Sequence, residues 1–120
     1  MYRDIAVGKP GTLTRVGIGT FVDPRIEGGK INKQTTEDLV EVITISGEEM
    51  LFYKTYKVDV AIIRGTLADA DGNISMEKEA LRIDNLSQAM AAKNSGGVVI
   101  TQLERIVPAK TLSPGMVEVP

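Results

Sequence analysis

Cysteine, histidine and tryptophan are all missing from these 120 residues. Without cysteine there is no disulfide and no thiol nucleophile, and without histidine no Ser-His-type triad and no zinc site of the Cys/His kind. Chemistry is left to carboxylates, Lys, Arg, Ser, Thr, Tyr and backbone amides. An excess of one charge is missing too. The 14 basic and 16 acidic residues sum to -2 and form no long runs, so there is neither an electrostatic footprint for nucleic acid nor a basic helix for a membrane surface. No apolar run approaches the roughly 20 residues of a spanning helix, and the amino end does not read as a signal peptide. The expectation is a soluble, cytoplasmic protein with no nucleic-acid and no membrane partner.

What is present is ordinary for a globular chain: 42% hydrophobic and 25% charged residues, enough for one domain with a core. The most informative stretch runs from Val58 to Asn73. Val58, Val60, Ala61, Ile62 and Ile63 make a nearly unbroken, β-branched apolar run, the pattern of a strand buried on both faces. A turn cluster follows from Asp69 to Asn73. Leu86, Ala89 and Met90 then recur at helical spacing behind a capping candidate at Asp84 or Asn85, and Asn94-Ser95-Gly96-Gly97 predicts the helix stop. A second run, Val98-Val99-Ile100, begins at once. Strand, crossover with helix, strand predicts a right-handed βαβ unit with parallel strands. In open α/β sheets ligands bind beyond the carboxyl ends of such strands, here Arg64 to Asn73 and Gln102 to Lys110.

Elsewhere the elements are shorter. Tyr2, Ile5 and Ala6 suggest a brief helix ended by Gly8-Lys9-Pro10-Gly11, too short to stand alone. Arg15 to Val22, interrupted by glycines, predicts a weak strand or a backbone that must come close to something, and Asp23 to Thr36 reads as a long surface loop. Val40 to Ile45, Ser46-Gly47 and Glu48 to Tyr53 predict a β-hairpin. Met116 to Pro120 resembles an edge strand cut off in mid-course. The fold class expected is α/β: an open, mostly parallel sheet with flanking helices and a hairpin.

Three short motifs invite chemistry. Gly17-Ile18-Gly19-Thr20 has the paired glycines of a phosphate cradle, but Val22 stands where the dinucleotide fingerprint has its third small residue, so a tight structural bend competes with a ligand-facing role. Gly28-Gly29-Lys30 is followed by Ile31, which removes the P-loop reading. Asp69, Asp71 and Asn73 match the start of a calcium loop, but Ile74 and Ala80 occupy its Gly and Glu positions, and turn chemistry explains the cluster. No metal site is expected. Glu104 is the carboxylate that strand position nominates as nucleophile or base; a rim charge near Arg105 is the alternative reading. The Leu86/Ala89/Met90 stripe is read as core.

Taken together, Gly17-Ile18-Gly19-Thr20-Phe21-Val22-Asp23-Pro24-Arg25, Gly28-Gly29-Lys30 with Asn32, Leu51 to Lys54, Arg64-Gly65-Thr66 with Ala68-Asp69 and Gly72-Asn73, Glu77 with Glu79-Ala80, and Ala92 to Gly97 resemble the first, alpha-type half of the glutamate-dependent acetate/propionate/3-oxoacid CoA-transferases. The resemblance implies that residues 1–120 are a partial CoA-transferase-like domain. It also implies that the parent enzyme moves CoA between short-chain acyl-CoA and carboxylic acids through a glutamyl-CoA thioester. That family's glutamate lies in the second half, so Glu104 does not inherit the role, and no catalytic residue is expected in this chain. The candidate contribution is a wall of the acyl/CoA pocket from Gly17, Ile18, Gly19, Thr20 and Phe21. Coenzyme A is then a substrate rather than a resident cofactor. The partners implied are acyl-CoA, a carboxylate, the remaining half of the enzyme and, as a further expectation, a second copy in a homo-oligomer. A non-catalytic α/β domain that binds an acyl ligand or serves as an interaction module is the other reading.

Overall fold

The computed structural model describes Met1 to Pro120, which fall into two compact units: Met1 with Lys9–Tyr56, and Tyr2–Gly8 with Lys57–Pro120. The first unit is built on an antiparallel sheet in the order β1-β3-β2, with β1 at Gly11–Thr14, β2 at Val40–Ile45 and β3 at Glu48–Lys54. The hairpin lies where the sequence predicts it, in register from Val40 opposite Tyr53 to Ile45 opposite Glu48. Its Ser46-Gly47 turn has positive φ at both positions (52° and 81°), the primed geometry that follows strand twist. Leu51 on β3 is fully buried. Residues 15–39 contain no helix or strand, only turns and bends, so the glycine-interrupted stretch before Asp23 is loop rather than weak strand.

The second unit holds α1 (Tyr2–Ala6), β4 (Val60–Arg64), β5 (Leu67–Asp69), β6 (Ile74–Ser75), α2 (Asn85–Asn94), β7 (Val98–Gln102), β8 (Arg105–Val107), a 3-10 turn at Pro114–Met116 and β9 (Val117–Val119). β4 and β7 pair in parallel, Val60 opposite Val98 through Arg64 opposite Gln102, with α2 in the crossover. The βαβ unit is therefore present, and so is the edge strand, β9. Helix α2 ends in a Schellman geometry. The N–H of Gly97 reaches the Ala92 carbonyl (2.8 Å) and that of Gly96 the Lys93 carbonyl (3.1 Å), with Gly96 at φ 80°. Gly97 then passes so close to the Val58 and Asp59 carbonyls that a β-carbon there would collide with both. At the other end Asp84 takes the N-cap position in left-handed conformation, with no side-chain cap bond. The short helix α1 is held by α2: Ile5 and Ala6 pack on Ala91, and Asn94 donates to the Ala6 carbonyl at 2.6 Å.

The α/β class stands, but the strands do not share one mostly parallel sheet. A second, four-stranded sheet has the order β8-β5-β6-β9, in which only β5–β8 is parallel. The division occurs at Gly65-Thr66. The Gly65 N–H still bonds to Gln102 of the first ladder (3.0 Å), while the Thr66 N–H bonds to Ser75 of the second (2.7 Å). Burial on both faces of β4 is not found either. Ala61 and Ile63 are buried, whereas Val60 and Ile62 face outward. The core joins Ile63, Ala68, Ile74, Met76, Ala89 and Val119. The expected Leu86/Ala89/Met90 stripe buries only Ala89, because α2 packs through its small residues Ala89, Ala91 and Ala92 and leaves Leu86 and Met90 exposed.

Candidate functional site

The five residues singled out by sequence, Gly17 to Phe21, lie together in the loop of the first unit, and a neighbour that sequence reasoning passed over holds them in place. Asp23 is 1% exposed. One oxygen accepts the Gly19 N–H (2.9 Å) and an Arg25 guanidinium N–H (2.9 Å). The other accepts the Arg25 backbone N–H and its Nε–H, both at 3.0 Å. Its backbone carbonyl accepts from Ile26 (2.9 Å) and Gly28 (3.0 Å). Asp-Pro followed by Arg is the composition of an Asx turn, and that signal was available in the sequence. The Arg25 guanidinium, then the Gly19 and Arg25 amides, hold the Asp23 carboxyl well below the usual carboxylate range, since all of them stabilise its charged form. Arg25, raised in turn, reaches Glu49 on β3 at 2.9 Å and so ties the loop to the sheet.

The loop's outer limb is fixed as firmly. The Tyr53 hydroxyl donates to the Val16 carbonyl at 2.7 Å, and burial, then the Asp23 charge, push the phenol up. Thr20 closes onto the Gly17 carbonyl through its N–H (3.0 Å) and hydroxyl (2.8 Å). Gly17 has φ 100°, and a β-carbon there would meet the Tyr53 hydroxyl and the Val22 methyl; around Gly19, at φ 75°, space is open. The phosphate-cradle reading of the paired glycines loses its central donor, because the protein's own carboxylate occupies the Gly19 amide. Among the loop's exposed side chains are the apolar Ile18 and Phe21, with Val16, Ile26 and Ile31, beside the charged Arg15, Arg25 and Glu27.

The strand ends of the second unit carry no comparable assembly. Thr66 is buried and structural, its hydroxyl accepting the Lys78 N–H at 3.0 Å. Asp69 spends its carboxylate on the Asp71 and Asn73 backbone amides (3.0 Å each) and on the Asn73 side chain. The Asn73 side chain, ahead of those backbone amides, lowers its pKa. Glu104 pairs with Lys78 at 2.7 Å, both side chains being exposed, rather than with Arg105. No cluster of three or more Asp or Glu side chains converges as a metal site would require. Two open grooves flank α2. One of about 600 Å³ is lined by Ala68, Ile74, Ala89, Leu103 and Val119; the other, of about 860 Å³, by Asn73, Lys110, Leu112 and Val117. Leu86 and Met90 are shared between them.

Against known proteins, the sequence model of a family described as "Coenzyme A transferase" matches residues 5–120. The "Caffeate CoA-transferase" of Acetobacterium woodii is 57% identical over 120 residues, which are 100% of this chain and 23% of that protein. The "Acetate CoA-transferase YdiF" of Escherichia coli K12 is 42% identical over 118 residues, covering 98% of this chain and 22% of that one. A crystal structure of the acyl-CoA transferase YdiF from E. coli O157:H7, described as a thioester complex with CoA, matches with a TM-score of 0.94. It is 41% identical and covers 99% of this chain and 23% of its own. The chain thus spans under a quarter of the length of these relatives.

Proposed function

The chain belongs to the coenzyme A transferase family, and from that premise we propose that it forms part of the alpha-type domain of a cytoplasmic enzyme exchanging CoA between short-chain acyl-CoA and a free carboxylic acid. The nucleophile in this reading is a glutamate supplied by polypeptide outside these residues. Its carboxylate attacks the thioester carbonyl and expels CoA thiolate, leaving a mixed anhydride. The thiolate attacks the glutamyl carbonyl and releases the first acid, giving a glutamyl-CoA thioester. An incoming carboxylate attacks that thioester and regenerates the anhydride and free thiolate. Thiolate attack on the new acyl carbonyl yields the product and restores the glutamate. This is nucleophilic catalysis by a carboxylate, and it needs a water-poor site with donors aimed at each tetrahedral oxyanion.

The role of this chain is to hold one wall of that pocket. Gly17 to Phe21, anchored by Asp23, turns the Ile18 and Phe21 side chains outward as apolar surface for the acyl group or the pantetheine arm. The observation that carries the reading is the state of the carboxylates best placed for catalysis. Asp23 and Asp69 are buried but have their oxygens taken by fixed donors, and Glu104 is solvated and paired with Lys78. None resembles a free nucleophile in a dry site.

The test replaces the matched segment of the A. woodii relative with this chain. The chimera is expected to exchange CoA between acetyl-CoA and propionate, and the isolated 120-residue chain to exchange none. Borohydride in the presence of acetyl-CoA should reduce a glutamyl thioester that maps outside these residues. Label at Glu104, or turnover by the isolated chain, would overturn the assignment.

A further inference from the structure

The outward face of the β4–β7 pair carries a flat apolar strip. Val60 lies opposite Val98 and Ile62 opposite Ile100 in the parallel register, and all of these side chains are exposed, Ile62 at 74%. The strip is bounded at its carboxyl end by Arg64 and Gln102, also exposed and also paired. The other face of the same strands is covered by α2 and by the core around Ile63. Parallel strands are found with both faces covered, because their crossovers place other elements on either side. A sheet of only two such strands, with four β-branched side chains aligned toward water, is half of a layered structure. The relatives that match this chain along essentially its whole length carry more than three quarters of their polypeptide outside the match.

We infer that the Val60/Ile62/Val98/Ile100 strip is a docking surface, and that its occupant is an apolar surface of the CoA-transferase polypeptide that this chain does not include. The inference rests on the family reading above and deepens it, since it names where the scaffold role is exercised. The remainder of the enzyme meets the scaffold on the side of β4–β7 opposite α2. Two further groups of occupants, a second copy of this chain and water alone, are separated by experiment.

The absence of cysteine makes the test clean. Ile62→Cys and, separately, Ile100→Cys place a thiol on the strip, while Arg105→Cys places one on an exposed strand position for comparison. Each is made in the isolated chain and in the chimera with the A. woodii relative, and maleimide labelling is followed with the chimera lacking the introduced thiol as background. Thiols at positions 62 and 100 are expected to react freely in the isolated chain at every protein concentration. In the chimera they should react at least a hundredfold more slowly than in the same chimera unfolded in urea. Labelling in the folded chimera as fast as in urea would overturn the inference. So would protection in the isolated chain that grows with concentration, which would assign the strip to a second copy. A chimera that exchanges CoA yet labels rapidly refutes the docking surface and leaves the enzyme reading standing; one that is protected but inactive does the reverse.

Discussion

Asp23 shows how much one side chain can organise without doing chemistry. A carboxylate accepting from two backbone amides and a guanidinium turns a polar loop into a fixed object, and the loop's glycines are required at unequal strength. Gly17→Ala must accommodate a β-carbon against Tyr53 and Val22 in addition to an unfavourable φ, and should cost about 2–4 kcal/mol. Gly19→Ala meets open space and carries only the conformational penalty, roughly 1–2 kcal/mol. Urea unfolding followed by tyrosine fluorescence ranks the two, and an equal cost would mean that the Tyr53 contact does not restrain the loop. Asp23→Ala should lower Tm more than Gly19→Ala does, because it leaves the Gly19 and Arg25 amides without their acceptor and the Arg25 guanidinium with Glu49 in place of two carboxylates.

At the scale of elements, what was legible in the sequence was local. The hairpin was announced by alternation around Ser46-Gly47, the end of α2 by Asn94 to Gly97, and the β4–α2–β7 crossover by two apolar runs separated by a helix. What was not legible depended on partners far away in the chain. The run Val60 to Ile63 contains no polar residue to mark a solvent side, so periodicity could not reveal that Val60 and Ile62 lack a covering layer. Gly65-Thr66 likewise gave no hint that the chain changes sheets there, since the change is made by bonds to Gln102 and Ser75. The burial alternation has a direct consequence in the isolated chain. Ile63→Ala, from the core, should cost about 2–5 kcal/mol, whereas Ile62→Ala one residue away should stay within about 0.5 kcal/mol. Equal costs would show that the outer face is covered in the isolated chain as well.

For the whole molecule, the missing histidine and cysteine return as a statement about pH. Carboxylates ordinarily titrate near 4 and lysine and tyrosine near 10, and the shifts in this chain move groups away from neutrality. Asp23 and Asp69 go down, and Tyr53 and Lys78 go up. A lowered aspartate contributes stability that is whole above its unfolded value of about 3.9 and lost as pH falls through the folded value; a raised tyrosine or lysine contributes stability that is whole below its unfolded value and lost as pH rises through the folded one. The urea midpoint should therefore be level from about pH 5.5 to 8.5 and fall on either side, below about 4 and above about 10. Asp23→Asn tests the assignment of the acid limb. It keeps an acceptor for one amide but not the charge that Arg25 holds, so it should lower the midpoint throughout the level region. On acidification the variant and the parent should then converge as the parent's own carboxylate is protonated. A gap between them that stays constant down to pH 2 would assign the acid limb to other carboxylates and remove Asp23 from the centre of the loop's energetics.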